Sequence, residues 1–200
     1  MLHAFVFSKV SVIVRHWFEI GLSDGVMEHG ARIEVRLLDA PAHRGTESAA
    51  QLLVINRPLW RVDLFDRLDR AAGTFSAAHF HPTFDGLEPS ERVWDDELRD
   101  DPWHWAIQQL SDIDSIFAAK GVNIVDVDVD FDEVRAEAAQ IVATAQAYAP
   151  TACTSVQSCH RWTKDASGTI RLMVKNMNDV KMLDHAHVSP WLGAGFNFVN

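Results

Sequence analysis

The chain has 200 residues, of which 48% are hydrophobic and 23% are charged, as is typical of a globular domain with a substantial core. This composition excludes disordered and fibrous proteins. The formal net charge of −10 argues against broad nucleic-acid binding, because phosphate backbones are bound by clustered Lys and Arg side chains.

The N-terminal segment and the cysteines indicate a cytoplasmic protein. Lys9 interrupts the apolar opening and no small-residue cleavage site follows it, so a signal peptide is not expected. The apolar run is also shorter than the ~20 residues that span a bilayer, and we expect no association with a membrane. Cys153 and Cys159 are too few for a disulfide scaffold, and we expect both to be free thiols.

The first part of the chain predicts strands. Residues 5–14 are rich in β-branched and aromatic side chains, which favours a strand covered on both faces. The segment "RIEVRLLDA", residues 32–40, alternates between apolar and charged positions. This alternation predicts a half-exposed antiparallel strand whose Arg32, Glu34 and Arg36 side chains face solvent.

Three further strands are predicted before residue 82. They cover "QLLVI" at 51–55, "LWRVDLFD" at 59–66 and "TFSAAHFH" at 74–81. Because proline cannot donate to a strand ladder, Pro58 marks a bend, an edge or the end of a hairpin. Short strands with no helix between them indicate an antiparallel meander.

The hydrophobic period changes after residue 98. Asp101 followed by Pro102 predicts a helix start, with aspartate as the N-cap and proline at the first helical position. Apolar residues then recur every three or four positions until Gly121 ends the helix. A second helix is predicted to start near Asp130 with a capping box and to end before Pro150.

The last part of the chain predicts a hairpin. In "CHRWTKDASGTIRLMVKN", residues 159–176, alternating segments flank a turn at 165–168. We therefore expect an α+β fold, with an antiparallel sheet from the N-terminal meander and the C-terminal hairpin, and two central helices packed on one face. We expect a single domain over residues 1–200, with a sub-boundary, if one exists, near residue 121 or 150.

The stretch "FSAAHFHPTF" carries the first candidate site. Side chains alternate along a strand, so His79 and His81 are expected on one face, and Pro82 places them at a strand end. Two imidazoles at this spacing can share a metal ion or act together in catalysis. The candidate catalytic residues are His79, His81 and Asp63.

A carboxylate and a second histidine pair extend the candidate metal site. Gly73, His79, His81 and Asp85 resemble the first motif of the cupins, in which a histidine pair and an acid bind metal. The second pair comes from "HAH" near the C-terminus. The candidate metal ligands are His79, His81, Asp85, His185 and His187. The sequence does not establish a cofactor, and the one that these ligands would suit is a divalent metal.

Two short motifs suggest phosphodiester chemistry. "HPTF" contains His81 and Thr83, and "HVSP" contains His187 and Ser189. These pairs resemble the His-x-Thr/Ser motifs of the 2H phosphoesterases. The resemblance implies that the two histidines act as general acid and base while the hydroxyl groups hold the phosphate.

A longer segment resembles the TumE-like components of bacterial toxin–antitoxin modules. It combines "RIEVRLLDA", "LWRVDLFDR" and "AGTFSAAHFHPTFDGLEP" with a following helix, over about residues 32–117. The resemblance implies a toxin component with a cognate protein partner, and it makes His79 and His81 the candidate functional residues.

Two functions from different classes follow. The first is a bacterial accessory or interaction protein of toxin–antitoxin type, with a protein partner or a homo-oligomeric state. The alternative is a metal- or histidine-dependent hydrolase, similar to a phosphodiesterase, that uses His79 and His81 with Asp63 or Asp85. The sequence does not decide whether the protein is an enzyme.

Overall fold

A computed structural model describes residues 2–20, 26–39, 41–119, 128–149, 160–164 and 170–174. The chain divides into two compact units, Met1–Thr151 and Ala152–Asn200. Within the described ranges, no helix combines the length and the apolarity that a membrane crossing requires.

The main sheet has five antiparallel strands in the order β1-β2-β3-β4-β5, so the predicted meander is confirmed. The strands are β1 (Leu2–Val6), β2 (Val10–Ile20), β3 (Met27–Asp39), β4 (Val54–Arg67) and β5 (His79–His81). The strand predicted over 5–14 is two strands, separated by residues 7–9. A short polar turn of this kind does not interrupt the apolar pattern enough to be seen in the sequence.

Strand β5 is shorter than predicted, because the residues before it form turns. The Asp66 carboxylate accepts hydrogen bonds from the Thr74 hydroxyl at 3.2 Å and from the Ser76 backbone N–H at 3.1 Å. These bonds give residues 74–78 their own partners in place of a strand ladder.

The bend expected at Pro58 occurs without ending the strand. Pro58 lies opposite Arg36, and the β3–β4 register shifts between Val35 and Arg36 and again between Arg36 and Leu38. These irregularities accommodate a residue that has no N–H group to donate.

The helices of the first unit are α1 (Asp96–Asp100), α2 (Pro102–Ser111), α3 (Ile113–Ala118) and α4 (Asp128–Gln146). The predicted cap of α2 is confirmed, since the Asp101 carboxylate accepts a hydrogen bond from the His104 backbone N–H at 3.2 Å. The first predicted helix is broken at Asp112, whose φ of −100° and ψ of 39° leave the helical region.

Helix α4 begins at Asp128, two residues before the predicted start. Asp130 is therefore not its N-cap. The buried Asp130 carboxylate accepts hydrogen bonds from the backbone N–H groups of Lys9 and Val10, the latter at 2.8 Å. It connects α4 to the turn between β1 and β2.

The core lies between the helices and one face of the sheet, as predicted. Trp60 stacks on Trp105 of α2 with ring centroids 6.1 Å apart. The other buried members include Val12, Val14, Ile33, Val35, Val62 and Leu64 from the sheet, and Leu110, Phe117, Val134 and Ile141 from the helices.

The second unit contains the C-terminal hairpin, and this prediction is also confirmed. Strand β8 (His160–Lys164) pairs antiparallel with β9 (Ile170–Val174). Two short strands of the first unit, β6 (Phe84–Asp85) and β7 (Glu88–Pro89), pair with each other just after β5.

The sheet face away from the core carries charged side chains, and we call it the polar face. Its central residues, from β2 to β5, are Arg15, Glu19, Arg32, Glu34, Arg61, Asp63, His79 and His81. Arg32 is 3% exposed and Glu34 is 4% exposed, so the prediction that these two side chains face solvent is wrong. Arg36 is half-buried.

The sheet is strongly curled, and the polar face is concave. Val93 forms a bridge with Phe80 of β5, which places Arg92 next to His81 at the far edge of the sheet. In a flat sheet the backbone of Arg92 would lie about 19 Å from β2, four strand spacings away. Yet the Arg92 guanidinium is 2.8 Å from the carboxylate of Glu19 in β2 and 2.8 Å from that of Glu28.

Gly30 permits a close approach of β3 and β4. A Cβ atom at this position would lie 2.1 Å from the Leu64 carbonyl oxygen, a backbone atom that cannot move aside. Glycine inside a strand often marks such a bend, and this one lies in the curled part of the sheet.

Candidate metal centre

Asp63, His79 and His81 come together on the polar face. Strands β4 and β5 pair so that Asp63 lies opposite His79, and His81 follows two residues later on the same face. The Asp63 Oδ2 atom is 3.4 Å from His79 Nε2 and 3.7 Å from His81 Nε2. Asp63 and His79 are 0% exposed and His81 is 4% exposed.

Backbone carbonyl groups fix the tautomers of both histidines. His79 Nδ1 lies 2.7 Å from the Ala77 carbonyl oxygen, and His81 Nδ1 lies 2.6 Å from that of Ser90. A carbonyl oxygen only accepts hydrogen bonds, so each Nδ1 carries a proton and donates it. Each Nε2 atom is buried and has no partner in hydrogen-bonding geometry among the described residues.

Two arginines hold Asp63 as an anion. Arg32 binds both carboxylate oxygens, with Nε 2.5 Å from Oδ1 and Nη2 3.0 Å from Oδ2. Arg61 Nε lies 3.0 Å from Oδ2. Burial by itself would raise the pKa of Asp63, but the positive charge of Arg32, the polar contact with His79 and the positive charge of Arg61 hold it well below its usual value.

His81 is held in its neutral form. Burial and the positive charge of Arg61 together lower its pKa to about 4, against the opposing effects of the Ser90 carbonyl and Asp63. At neutral pH this imidazole therefore offers an unprotonated nitrogen, which is the form that binds metal.

The three atoms fit a small divalent metal ion. Ligand atoms from the three residues lie within 4.8 Å of one another. In a tetrahedral zinc site with bonds of about 2.0–2.1 Å, neighbouring ligand atoms are about 3.4 Å apart. The separations of 3.4 and 3.7 Å match this spacing. An Nδ1–H bond to a backbone carbonyl is also the usual way in which a ligating histidine is oriented.

An exposed tryptophan borders the cluster. The Trp94 ring lies against His79, with centroids 5.3 Å apart, although Trp94 is 58% exposed. Trp94 also lines a cavity of about 210 Å³, together with Phe75, Ser76, Ala78, Asp95, Asp96 and Arg99. Trp94 therefore contacts both the cluster and the cavity, whereas Asp63, His79 and His81 do not line the cavity themselves.

The structure places the predicted site residues in three different ways. His79, His81 and Asp63 form the cluster. Asp85 is exposed on β6 and does not belong to it. His185, His187, Cys153 and Cys159 lie outside the described residues.

The sequence interpretation missed the arginines of the site. Arg32 lies on β3 and Arg61 on β4. The sequence pattern assigned Arg32 to a solvent-exposed strand face and gave Arg61 no role. The charged residues of "RIEVR" and "WRVD" alternate in sign at positions that pair across β3 and β4. This complementarity was the available sequence signal for ion pairs across the sheet.

A second pair of histidines lies outside the cluster. His16 Nε2 is 3.4 Å from His29 Nδ1, and the Phe18 ring lies against His16 with centroids 4.7 Å apart. Burial and the proximity of His29 together lower the pKa of His16 to about 4.

This pair predicts a loss of stability in mild acid. The unfolded chain takes up a proton on His16 below its ordinary pKa of about 6.5, whereas the folded chain does not do so until about pH 4. The free energy of unfolding is therefore expected to fall as the pH decreases from 6.5 to 4. Urea denaturation across this range measures the decrease, which should be smaller in His16→Gln and unchanged in the exposed-site control His43→Gln. An equal pH dependence in all three proteins would contradict this assignment.

Comparison with known proteins identifies no relative of this chain. The chain matches no protein-family model, no curated protein and no solved structure. The chemistry of the cluster is therefore the basis for a functional proposal.

Proposed function

We propose that the protein is a metal-dependent hydrolase that acts on phosphoesters, with Asp63, His79 and His81 as the metal ligands. The observation that carries this proposal is the convergence of one carboxylate oxygen and two unpartnered imidazole nitrogens in a buried site. Buried polar atoms without partners are rare in folded proteins, and such atoms in a cluster require an explanation.

The electrostatics of the cluster favour a bound cation. The unprotonated His81 Nε2 atom lies 3.7 Å from the ionised Asp63 carboxylate, and His79 Nε2 lies 3.4 Å from the same oxygen atom. Because these groups are removed from water, the repulsion between the His81 lone pair and the carboxylate is only weakly screened. A divalent ion at the centre would replace this repulsion with coordinate bonds from the three residues.

Three protein ligands also support catalysis rather than a purely structural role. Structural zinc sites are normally closed by four protein ligands, whereas catalytic sites have three and bind water at the fourth position. A metal ion held by Asp63, His79 and His81 would supply Lewis-acid activation of water for hydrolysis. Trp94 and the cavity beside it would provide the approach to this position.

The toxin–antitoxin interpretation stays a prediction. A cognate partner would be recognised by a surface, whereas the unpartnered atoms lie in a buried cluster. The hydrolase proposal accounts for these atoms, and a toxin component could itself act by this chemistry.

Hydrolysis of bis(p-nitrophenyl) phosphate tests the proposal. Metal-stripped protein is expected to be inactive, and addition of zinc, manganese or cobalt should restore turnover in the wild type. His81→Gln should lower kcat at least about 100-fold, because the variant lacks one of the three ligands. The control His104→Gln changes an exposed histidine on α2 and should retain activity. Equal rates with and without metal would overturn the proposal.

A further inference from the structure

Two arginines on the polar face have donors that no described residue satisfies. The Arg15 guanidinium lies 4.2 Å from the centroid of the Trp17 ring and forms no hydrogen bond or ion pair with the described residues. A cation–π contact uses the flat face of the guanidinium, so the N–H groups at its edge stay free. Arg15 is half-buried, so its charge is only partly hydrated.

Arg61 is the second of these residues. Its Nε atom is paired with Asp63 but is not in hydrogen-bonding geometry. Its guanidinium lies 5.8 Å from the centroid of the Phe84 ring, and its terminal N–H groups have no acceptor among the described residues. The outer edge of this side chain is therefore free to donate.

The other arginines of the polar face differ from these two. Arg32 pairs with Asp63 and Glu19, and Arg36 pairs with Glu34. Arg92 pairs with Glu19 and Glu28. Among these described arginines, Arg15 and Arg61 are thus the two that form no hydrogen bond with a carboxylate.

The sheet places both free guanidinium groups beside the candidate metal centre. Arg15 lies opposite Arg32, which in turn lies opposite Asp63. Arg61 lies directly opposite His81. Arg61 also lies close enough to Arg15 for its positive charge to lower the pKa of Arg15.

This arrangement has an electrostatic cost in the protein alone. Like charges directly opposite each other on adjacent strands are destabilising, and Arg15 and Arg32 form such a pair. Burial lowers the pKa of Arg15, and the charges of Arg32, Arg36 and Arg61 lower it further, against the opposing charge of Glu34. A bound anion would offset this repulsion.

We infer that Arg15 and Arg61 bind the phosphoryl group of an anionic phosphoester next to the Asp63, His79 and His81 cluster. The inference rests on the proposed function for its choice of substrate. A guanidinium presents parallel N–H groups whose spacing matches two oxygens of a phosphate, and charge-assisted bonds of this kind are strong. The anion would lie where both free edges meet, with one phosphoryl oxygen directed toward the metal position.

Inorganic phosphate is the probe for this site. Isothermal titration of the metal-free and the zinc-loaded protein should show binding that weakens at high salt. Arg15→Gln is expected to weaken it about ten-fold or more, because the variant loses a charged donor. The control Arg44→Gln changes an exposed arginine between β3 and β4 and should bind phosphate as the wild type does. Unchanged affinity in Arg15→Gln would overturn the inference.

A second variant protects the test against a folding defect. Arg15→Lys keeps the positive charge and should retain part of the phosphate affinity. If the Arg15–Trp17 contact were purely structural, its loss would affect phosphate binding and chloride binding equally. In the hydrolysis assay, Arg15→Gln should raise KM for the anionic phosphodiester and leave KM for a neutral carboxylic ester unchanged. Equal changes for both substrates would count against phosphoryl recognition.

The two proposals can fail separately. If zinc binds at the cluster but phosphate does not bind in either form, the anion site is wrong and the metal centre stands. If phosphate binds in an Arg15-dependent manner but zinc does not bind, the metal-dependent hydrolase is wrong and the anion site stands.

Discussion

Replacing His79 with alanine is expected to weaken zinc binding by more than about 100-fold. Loss of a hydrogen bond that only orients a metal ligand already costs about 10–100-fold in affinity, and His79→Ala removes a ligand atom itself. His79 is 0% exposed, so water can replace the lost nitrogen only by entering the cavity that the variant creates. Competition with a chromophoric chelator at neutral pH gives the affinity.

His104→Ala is the matched control for this measurement. His104 is exposed on α2, where its ring contacts Gln108 at 3.0 Å and lies outside the cluster. Its replacement should leave zinc affinity unchanged. Identical affinity in His79→Ala and the wild type would show that zinc binds elsewhere, and Nε2 protonation of His79 in the nitrogen NMR spectrum would identify a proton at the position assigned to the metal.

Replacing Arg32 with methionine is expected to reduce the free energy of unfolding by about 3–5 kcal/mol. Methionine retains much of the side-chain volume but leaves Asp63, which is 0% exposed, with Arg61 as its remaining cationic partner. The effect comes mainly from a buried charge that loses its counter-charge and two hydrogen bonds. Guanidinium chloride denaturation in the presence of a chelator measures it without a contribution from bound metal.

Two further variants test the cause of this destabilisation. Arg99→Met changes an arginine whose side chain is 52% exposed, and it should cost less than about 1 kcal/mol. In Arg32→Met/Asp63→Asn the buried charge is absent, so part of the lost stability should return. If the double variant is less stable than Arg32→Met by the full effect of Asp63→Asn, the destabilisation is due to lost packing.

The sequence predicted the parts of the fold that local patterns determine. Alternation along 32–40 and 59–66 identified two paired strands, and it placed His79 and His81 on one face. Asp101 and Pro102 identified the start of α2, since both residues act within the first helical turn. The helix break at Asp112 was not predicted, because the apolar period continues through it.

The burial of the charged strand face could not be read from the same patterns. Alternation distinguishes two faces of a strand, but it does not say which face is covered or by what. The partners that keep Arg32 and Glu19 inside are distant in sequence: Arg32 and Asp63 are 31 residues apart, and Arg92 and Glu19 are 73 residues apart. Contacts of this range depend on the curvature of the whole sheet.

The candidate site was predicted only in part, because some of its contacts also join residues that are distant in sequence. His79, His81 and Asp63 were identified by residue type and strand spacing, and the structure brings these three together. The donors of Arg15 and Arg61 have no local signature, because the choice of which arginine pairs with which carboxylate depends on side-chain geometry across β2, β3 and β4.

The short length of β5 has a consequence for local order. This strand pairs with β4 through three residue pairs, and on its other side the single bridge between Phe80 and Val93 holds it. Few ladder hydrogen bonds imply a low free energy of local opening, compared with the long pairings of β2, β3 and β4. The two imidazoles therefore lie on the part of the sheet that opens most easily, and amide hydrogen exchange at 79–81 would slow on metal binding more than exchange in the centre of the sheet.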